Sequence, residues 1–325
     1  MAPIIPQGRC YNGTMDISII IPVYNAEKYM RRCLGAVIAS LDSFKGKGEI
    51  LLIDNNSTDS SLAILKDYQK RYPKFIRVLQ CHTVGAAAAR NLGASKASGK
   101  YLWFIDADDV ISENAVRKLM HEANAKDADL VMMGAKRFYE NGVSDQLSAV
   151  MPSEDNYKSR FVRYGLGPWQ VLIRRAWWNS YGFKFKEGII HEDMELMSAL
   201  ILHTDKYTAI NEPLYHYYRN SESVLHKASW EDAHAFDIFP ALEGLYARFE
   251  EAGAVKEYHD ELEWFFIWNL LIDAAKDFAR FPEGKPGFKR SREMLKKYFP
   301  KWRKNRFLRQ KPIKLQLKVR VNYIK

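Results

Sequence analysis

The chain has 325 residues, 47% of them apolar and 27% charged, the balance of an ordinary globular protein with one large domain or two smaller ones. No apolar run approaches the ~20 residues of a membrane-crossing helix. Three cysteines, Cys10, Cys33 and Cys81, show neither metal-ligand spacing nor an even disulfide framework, which points to a reducing, cytoplasmic setting.

In chain order, residues 1–14 read as a short extension without the long apolar core of a secretory signal. Ile17–Ile21 is a β-branched run that reads as a buried strand. Asn25 is placed to cap a helix whose stripe is Tyr29, Cys33, Val37 and Leu41. Glu49–Ile53 is a second strand, followed by Ser57 or Thr58 as a helix cap. Phe75–Leu79 is a third strand, Ala86–Ala97 a small-residue helix closed by Gly99, and Tyr101–Ile105 a fourth strand. A helix over 111–127 and a strand over 129–134 come next. Residues 135–165 read as irregular, 166–230 show no single period, and 230–280 carry two long helical patterns. Phe281–Gly287 is a Pro/Gly break. Beyond it, residues 285–325 hold sixteen Lys and Arg against one acid, Glu293, while the rest of the chain is slightly acidic; the overall net charge is +10. Such a basic segment seeks an anionic partner. Phe288, Leu295 and Phe299 share a helical face there, and Trp302, Phe307 and Leu308 lie beyond. Past Pro312, the alternation of Ile313, Leu315, Leu317, Val319 and Val321 with polar residues is a strand pattern.

Repeated strand–helix alternation predicts a doubly wound, mostly parallel sheet, and ligands of such sheets bind at the carboxyl ends of the strands. Pro22-Val23-Tyr24-Asn25 comes after the first strand, Asp54-Asn55 after the second and Asp106-Ala107-Asp108-Asp109 after the fourth, so acidic and polar groups gather on one rim. Asp106 and Asp108, two residues apart, project to the same side and repel unless a cation intervenes; carboxylate oxygens suit Mn2+ or Mg2+. The strand ends carry no dinucleotide fingerprint, P-loop or nucleophile elbow.

The ordered set Ile20-Ile-Pro-Val-Tyr-Asn25, Ile53-Asp-Asn-Asn-Ser-Thr-Asp59, Ala89-Arg-Asn-Leu-Gly93 and Gly99-Lys-Tyr-Leu-Trp-Phe-Ile-Asp-Ala-Asp-Asp109 resembles glycosyltransferase family 2, inverting enzymes of the GT-A fold. The resemblance covers roughly residues 15–226. It implies that Pro22, Val23, Tyr24 and Asn25 line a nucleotide base, with Asp54 and Asn55 at the pyrimidine. Arg90 would lie near base and diphosphate, Asp106 at the ribose and metal, and Asp108 on the metal. Asn55 stands where relatives carry a second aspartate, and its amide can pair with uracil or thymine. His191-Glu-Asp-Met-Glu-Leu196 resembles the motif that supplies the general base, Asp193 with Glu192 as the alternative. Tyr215-His-Tyr-Tyr-Arg-Asn220 resembles the segment that closes over the diphosphate, with Arg219 as a phosphate fork and His226 as a further metal ligand. Trp169 and His191 are acceptor-side candidates.

The expected architecture is thus a GT-A-type α/β domain over 15–227 (nucleotide half 15–110, acceptor half 111–227), a helical extension over 228–284 and a basic tail over 285–325. The expected reaction moves a sugar from a UDP- or dTDP-type nucleoside-diphosphate sugar to a glycan or lipid-linked sugar acceptor in bacterial surface-polysaccharide synthesis. The tail would touch an anionic membrane surface at the inner face of the membrane, and no nucleic acid would be bound. The rivals are a sugar-nucleotide nucleotidyltransferase, which lacks its glycine-rich signature after the first strand, and a nucleic-acid-binding protein acting through the tail.

Overall fold

The computed structural model describes residues 15–139, 144–147, 157–219, 236–280 and 284–324. Its elements run β1 (Ile17–Val23), α1 (Met30–Ser43), β2 (Gly48–Asp54), α2 (Ser61–Arg71), β3 (Ile76–Gln80), α3 (Ala86–Lys96), β4 (Tyr101–Phe104), β5 (Val110–Ile111), α4 (Ala115–Ala125), β6 (Leu130–Tyr139) and β7 (Ser144–Leu147). Next come α5 (Tyr157–Tyr164), β8 (Val171–Arg174), α6 (Arg175–Ser180), α7 (Glu192–Leu200), β9 (Tyr207–Arg219), α8 (Ile238–Glu251) and α9 (His259–Trp268). The last are α10 (Ala274–Arg280), α11 (Lys285–Tyr298), α12 (Arg306–Arg309) and α13 (Ile313–Ile324).

Two compact units divide the chain. The first is Met1–Ser153, Leu166–Gly188 and Thr204–Asn220; the second is Glu154–Gly165, Ile189–His203 and Ser221–Lys325. The division is not linear, whereas the sequence pattern suggests consecutive blocks, because α5 and α7 pack on α9 and α8 of the second unit.

A nine-stranded mixed sheet runs through the first unit in the order β3-β2-β1-β4-β8-β6-β9-β5, with β7 on β6. β1, β2, β3 and β4 are mutually parallel, as are β6 and β9; β8, β7 and β5 pair antiparallel. All of β2 and all of β1 except Pro22 are buried, as strands covered on both faces require. The small side chains of α3 let it lie close on β1: a Cβ at Gly93 would stand 2.3 Å from Ile20 Cγ2. Buried Glu49 joins the strand starts, accepting from Ser18 Oγ and from the N–H and Oγ of Ser98, all at 2.7 Å.

Four local expectations change. Asn25 caps no helix: α1 begins at Met30, after Tyr29, and Asn25 takes a left-handed φ of 48°. Its Oδ1 accepts the Thr58 N–H at 2.8 Å, so the cross-strand loop contact outweighs the local cap. The second helix begins at Ser61, behind Ser60, beyond both proposed caps. The stretch read as irregular over 135–165 contains the end of β6, β7 and α5.

The fourth change concerns the basic segment, which folds into the second unit. Phe288, Leu295, Phe299, Trp302, Phe307 and Leu308 are all buried there, against an aromatic core that includes Trp264, Phe266 and Phe278. Residues 313–324 form a helix, α13, where the alternation suggests a strand. At about 100° per residue, alternate helical positions fall on nearly opposite faces. Val319 and half-buried Leu315 face inward, while Ile313, Leu317 and Val321 face outward. The alternation therefore serves two apolar faces of one helix. No helix among the described residues is long and apolar enough to cross a membrane.

Candidate active site

The carboxyl ends of β1, β2 and β4 form one rim. Val23 pairs with Asp54 in register, the Asn55 N–H donates to Val23 O at 2.8 Å, and the Ile105 N–H donates to Ile20 O at 3.0 Å. Tyr24 is exposed at the rim, 56% accessible, and presents a ring to solvent where a planar base could stack. Asp54 is buried, and its Oδ1 has no hydrogen-bond partner among the described residues. A buried carboxylate oxygen left unpaired is costly, which suits an atom reserved for a ligand.

Asn55 is spent differently from the sequence expectation. Its Nδ2 donates to Cys81 O at 3.0 Å and Thr83 O at 2.6 Å, and its Oδ1 accepts the Gly85 N–H at 2.8 Å. Both amide hydrogens thus tie the loop between β3 and α3 to the end of β2. The residue shapes the pocket wall instead of offering a free donor to a base.

Arg90 rises from α3 and is buried. Its Nη2 donates to Asp106 Oδ1 at 2.8 Å. Behind this pair, the turn 106–109 is fixed by β9. Tyr215 Oη accepts the Asp106 N–H at 3.1 Å and donates to Asp109 Oδ2 at 2.6 Å, and the Tyr218 N–H donates to Asp109 Oδ1 at 2.8 Å. From α1, Arg32 donates to Asp108 O at 2.7 Å and lies 3.9 Å from the Tyr218 ring centroid.

Three carboxylates in four residues make this turn strongly negative. Burial first, then Asp108 and Asp106, push Asp109 well above the usual carboxylate range. Burial, followed by Asp109 and then Asp106, pushes Tyr217 up to about 12 and raises Tyr215, and burial followed by Asp109, Asp108 and Asp106 raises the Cys33 thiol. A divalent cation would relieve that repulsion, and Asp106 and Asp108 offer the hard oxygen donors that Mn2+ or Mg2+ prefers. Elsewhere, the single trio of ligand-type side chains among the described residues is His259, Asp260 and Glu263, with donor atoms within 4.8 Å of one another. There Arg306 lies 3.1 Å from Asp260, and Asn305 donates to Glu263 at 2.8 Å, so both carboxylates already have partners. The Asp106–Asp108 turn belongs to no such trio. A cation there would complete its shell with water and phosphate oxygens, the usual habit of Mg2+.

Trp169 is half-buried and stacks on Tyr215 and Tyr217, at centroid distances of 4.5 and 5.5 Å. Arg219 is exposed at the end of β9, one residue beyond Tyr218 and paired in register with Tyr139. His226 lies outside the described residues, as does Cys10; Cys33 and Cys81 are buried free thiols.

The second unit carries the other candidates at the start of α7. Glu192, Asp193 and Glu195 sit in its first turn, where the helix dipole favours carboxylates. Glu195 is held by Arg248 through two contacts, at 2.9 and 3.2 Å, and Glu192 is buried. Asp193 is the half-exposed one, with Oδ1 accepting the Met194 N–H at 2.8 Å. His191 precedes it at the helix cap. Burial lowers its pKa, against the opposing pull of Asp193, Asp237, Asp273 and Asp277. Asp273 ends a π-helical turn, Asn269–Asp273, between α9 and α10.

Arg32, Asp109 and Tyr215 are the rim residues that the sequence pattern leaves unassigned. Asp109 carries a sequence signal, being a third acid directly after Asp106-Ala107-Asp108 at the end of a buried strand. Arg32 had none, since an arginine on an amphipathic helix reads as surface charge.

Comparisons with known proteins bear on this rim. The sequence model described as Glycosyl transferase family 2 matches residues 18–184, just over half of the chain. The uncharacterized glycosyltransferase YibD of Escherichia coli is 31% identical over 229 residues, 66% of this chain and 64% of that protein. The uncharacterized glycosyltransferase EpsJ of Bacillus subtilis is 30% identical over 261 residues, 74% of this chain and 72% of that one. The crystal structure of Staphylococcus aureus TarS 1-349 in complex with UDP-GlcNAc superposes with a TM-score of 0.73 at 20% identity, covering 95% of this chain and 89% of that one. By sequence the chain spans only 42% of the full TarS, a poly(ribitol-phosphate) beta-N-acetylglucosaminyltransferase. The structural likeness is one of fold, GT-A.

Proposed function

The chain belongs to glycosyl transferase family 2, and we propose that it transfers a sugar, with inversion, from a UDP- or dTDP-type nucleoside-diphosphate sugar to a glycan or lipid-linked sugar hydroxyl in surface-polysaccharide synthesis. The observation that carries this reading is the rim itself. An orphaned buried Asp54 oxygen, an exposed Tyr24 ring, the Arg90–Asp106 pair and the acidic turn at 106–109 stand together at the ends of parallel strands. TarS, captured with UDP-GlcNAc and named as a poly(ribitol-phosphate) beta-N-acetylglucosaminyltransferase, supports a uridine nucleotide sugar and a polymeric acceptor.

In this reading Pro22, Val23, Tyr24 and Asn25 line the base, Asp54 accepts from it, and Asn55 holds the loop that borders it. Arg90 orients Asp106 toward the ribose. Asp106 and Asp108 would hold Mn2+ or Mg2+, with His226 as a further ligand; when bound, the cation neutralises charge that builds on the departing diphosphate. Arg219 offers its guanidinium fork to phosphate oxygens. Trp169 and His191 contribute to acceptor binding. The half-exposed Asp193 takes the proton of the acceptor hydroxyl as its oxygen bonds to the anomeric carbon and the carbon–diphosphate bond breaks on the opposite face. General-base help of this kind contributes roughly 10²–10⁴-fold. Glu192, being buried, is the second choice.

The test is nucleotide release from a panel of UDP-, dTDP- and GDP-sugars with Mn2+, repeated with chelator and with Asp108→Ala. Release from a pyrimidine sugar that both treatments abolish is expected. Full turnover in chelator, or preference for GDP-sugars, overturns the metal or the base assignment respectively.

A further inference from the structure

The outward face of α13 is apolar and has no covering element among the described residues. Ile313, Leu317, Val321 and Ile324 are 74%, 53%, 53% and 78% exposed. At 3.6 residues per turn these four fall within about 80° of arc, a single stripe along the helix. Exposed Lys314 and Lys318 flank it on one side and Arg320 on the other. Single exposed apolar side chains are ordinary; a continuous stripe bordered by cations is a binding surface.

The opposite face already anchors the helix. Val319 is fully buried, Asn322 Nδ2 donates to Leu271 O at 2.9 Å, and the Tyr323 ring lies 5.0 Å from that of Trp302. Gln316 Nε2 donates to Lys311 O at 2.8 Å, closing the turn before the helix. The stripe therefore contributes little to the fold that holds it.

We propose that this stripe docks on an anionic lipid surface, with Leu317 and Val321 at its centre and Lys314, Lys318 and Arg320 at the headgroups. An apolar face bordered by basic residues is the composition of a helix lying in the membrane interface. The sixteen Lys and Arg against one acid in residues 285–325 supply attraction to anionic headgroups. A second copy of the chain fits less well, because stripe-to-stripe contact would bring like-charged flanks together. A nucleic acid would meet the cations but leave the stripe in water. The proposal rests on the sugar-transfer reading only for its purpose, which is to hold the enzyme near a lipid-linked acceptor. The contact itself needs no nucleotide.

Co-sedimentation with vesicles tests it, using phosphatidylcholine alone and phosphatidylcholine with about one third phosphatidylglycerol, an anionic lipid. The full chain is expected to pellet with the anionic vesicles only. A Leu317→Ser, Val321→Ser double variant should partition at least about tenfold more weakly, since both side chains would leave hydrocarbon. A Lys314→Gln, Lys318→Gln variant should bind more weakly and lose part of its salt sensitivity. Circular dichroism melts and UDP calorimetry on the same variants should match the parent, which separates this surface from the nucleotide site. Equal sedimentation of parent and double variant overturns the proposal. So does a parent that is dimeric by sedimentation velocity and becomes monomeric on stripe substitution without ever binding vesicles. A parent that ignores vesicles and binds duplex DNA through Lys314 and Lys318 overturns it as well.

Discussion

Tyr215→Phe isolates the device that sets the acidic turn. The substitution keeps the buried ring and its 4.5 Å stack on Trp169 and removes one oxygen. That oxygen serves two partners, donating to Asp109 Oδ2 at 2.6 Å and accepting the Asp106 N–H at 3.1 Å. A buried hydrogen bond contributes about 0.5–1.5 kcal/mol net, and a buried donor left unpaired costs about 1–3 kcal/mol. Asp109 has no water to turn to, being fully buried, so the expected loss is about 2–4 kcal/mol. The loss falls on the turn that carries Asp106 and Asp108, so UDP affinity in Mn2+ should fall by roughly tenfold or more as that turn loosens. Urea unfolding followed by tryptophan fluorescence reads the stability, and calorimetry with UDP and Mn2+ reads the site. A Tyr215→Phe protein within about 0.5 kcal/mol of the parent, the usual range for a surface substitution, would refute the reasoning.

Three further outcomes are expected. Asp193→Asn should leave UDP affinity unchanged and slow sugar transfer by roughly 10²–10⁴-fold in single-turnover assays; if Glu192→Gln shows that pattern instead, the two roles exchange. Asn55→Asp removes both donors to Cys81 O and Thr83 O and sets a carboxylate against carbonyl oxygens, so the urea midpoint should drop by the equivalent of about 2–4 kcal/mol, and an unchanged midpoint would show that the loop is held otherwise. His191, His203 and His216 all have pKa values lowered first by burial, so between those values and ~6.5 the unfolded chain binds more protons than the folded one. Stability present above about pH 6.5 should therefore fall as the pH drops below it, and His191→Gln should flatten that slope in urea midpoints measured from about pH 7.5 to 5.

The nucleotide half was legible because its signals are local and additive. The runs Ile17–Ile21, Glu49–Ile53 and Tyr101–Ile105 read as buried strands, and the structure puts them in the fully covered centre of the sheet. The residues just past each of these strands then had to face the same rim, as parallel strands require. The side-chain commitments on that rim were less legible. Asn55 reads as a base-facing amide until the loop at 81–85, nearly thirty residues away, is seen to use both of its hydrogens. No pattern in the sequence records which donor meets which carbonyl across that separation.

The second unit shows why periodicity misleads where an element has two partners. A strand with one wet face and a helix with two apolar faces write the same alternation over a few residues, since both repeat near every second position. Length does not separate them in residues 313–321. What does is the company of the segment: a strand needs a neighbour with a free ladder edge, and the surrounding sequence from Lys285 onward supplies only helical stripes. With no strand to pair, the chain satisfies its own backbone as a helix, burying Val319 and half-burying Leu315 within the second unit. The odd-numbered residues on the other face are then forced outward, not by a misfit but by the same alternation. Their exposure therefore follows from the same alternation that buries Val319, and no element among the described residues covers them.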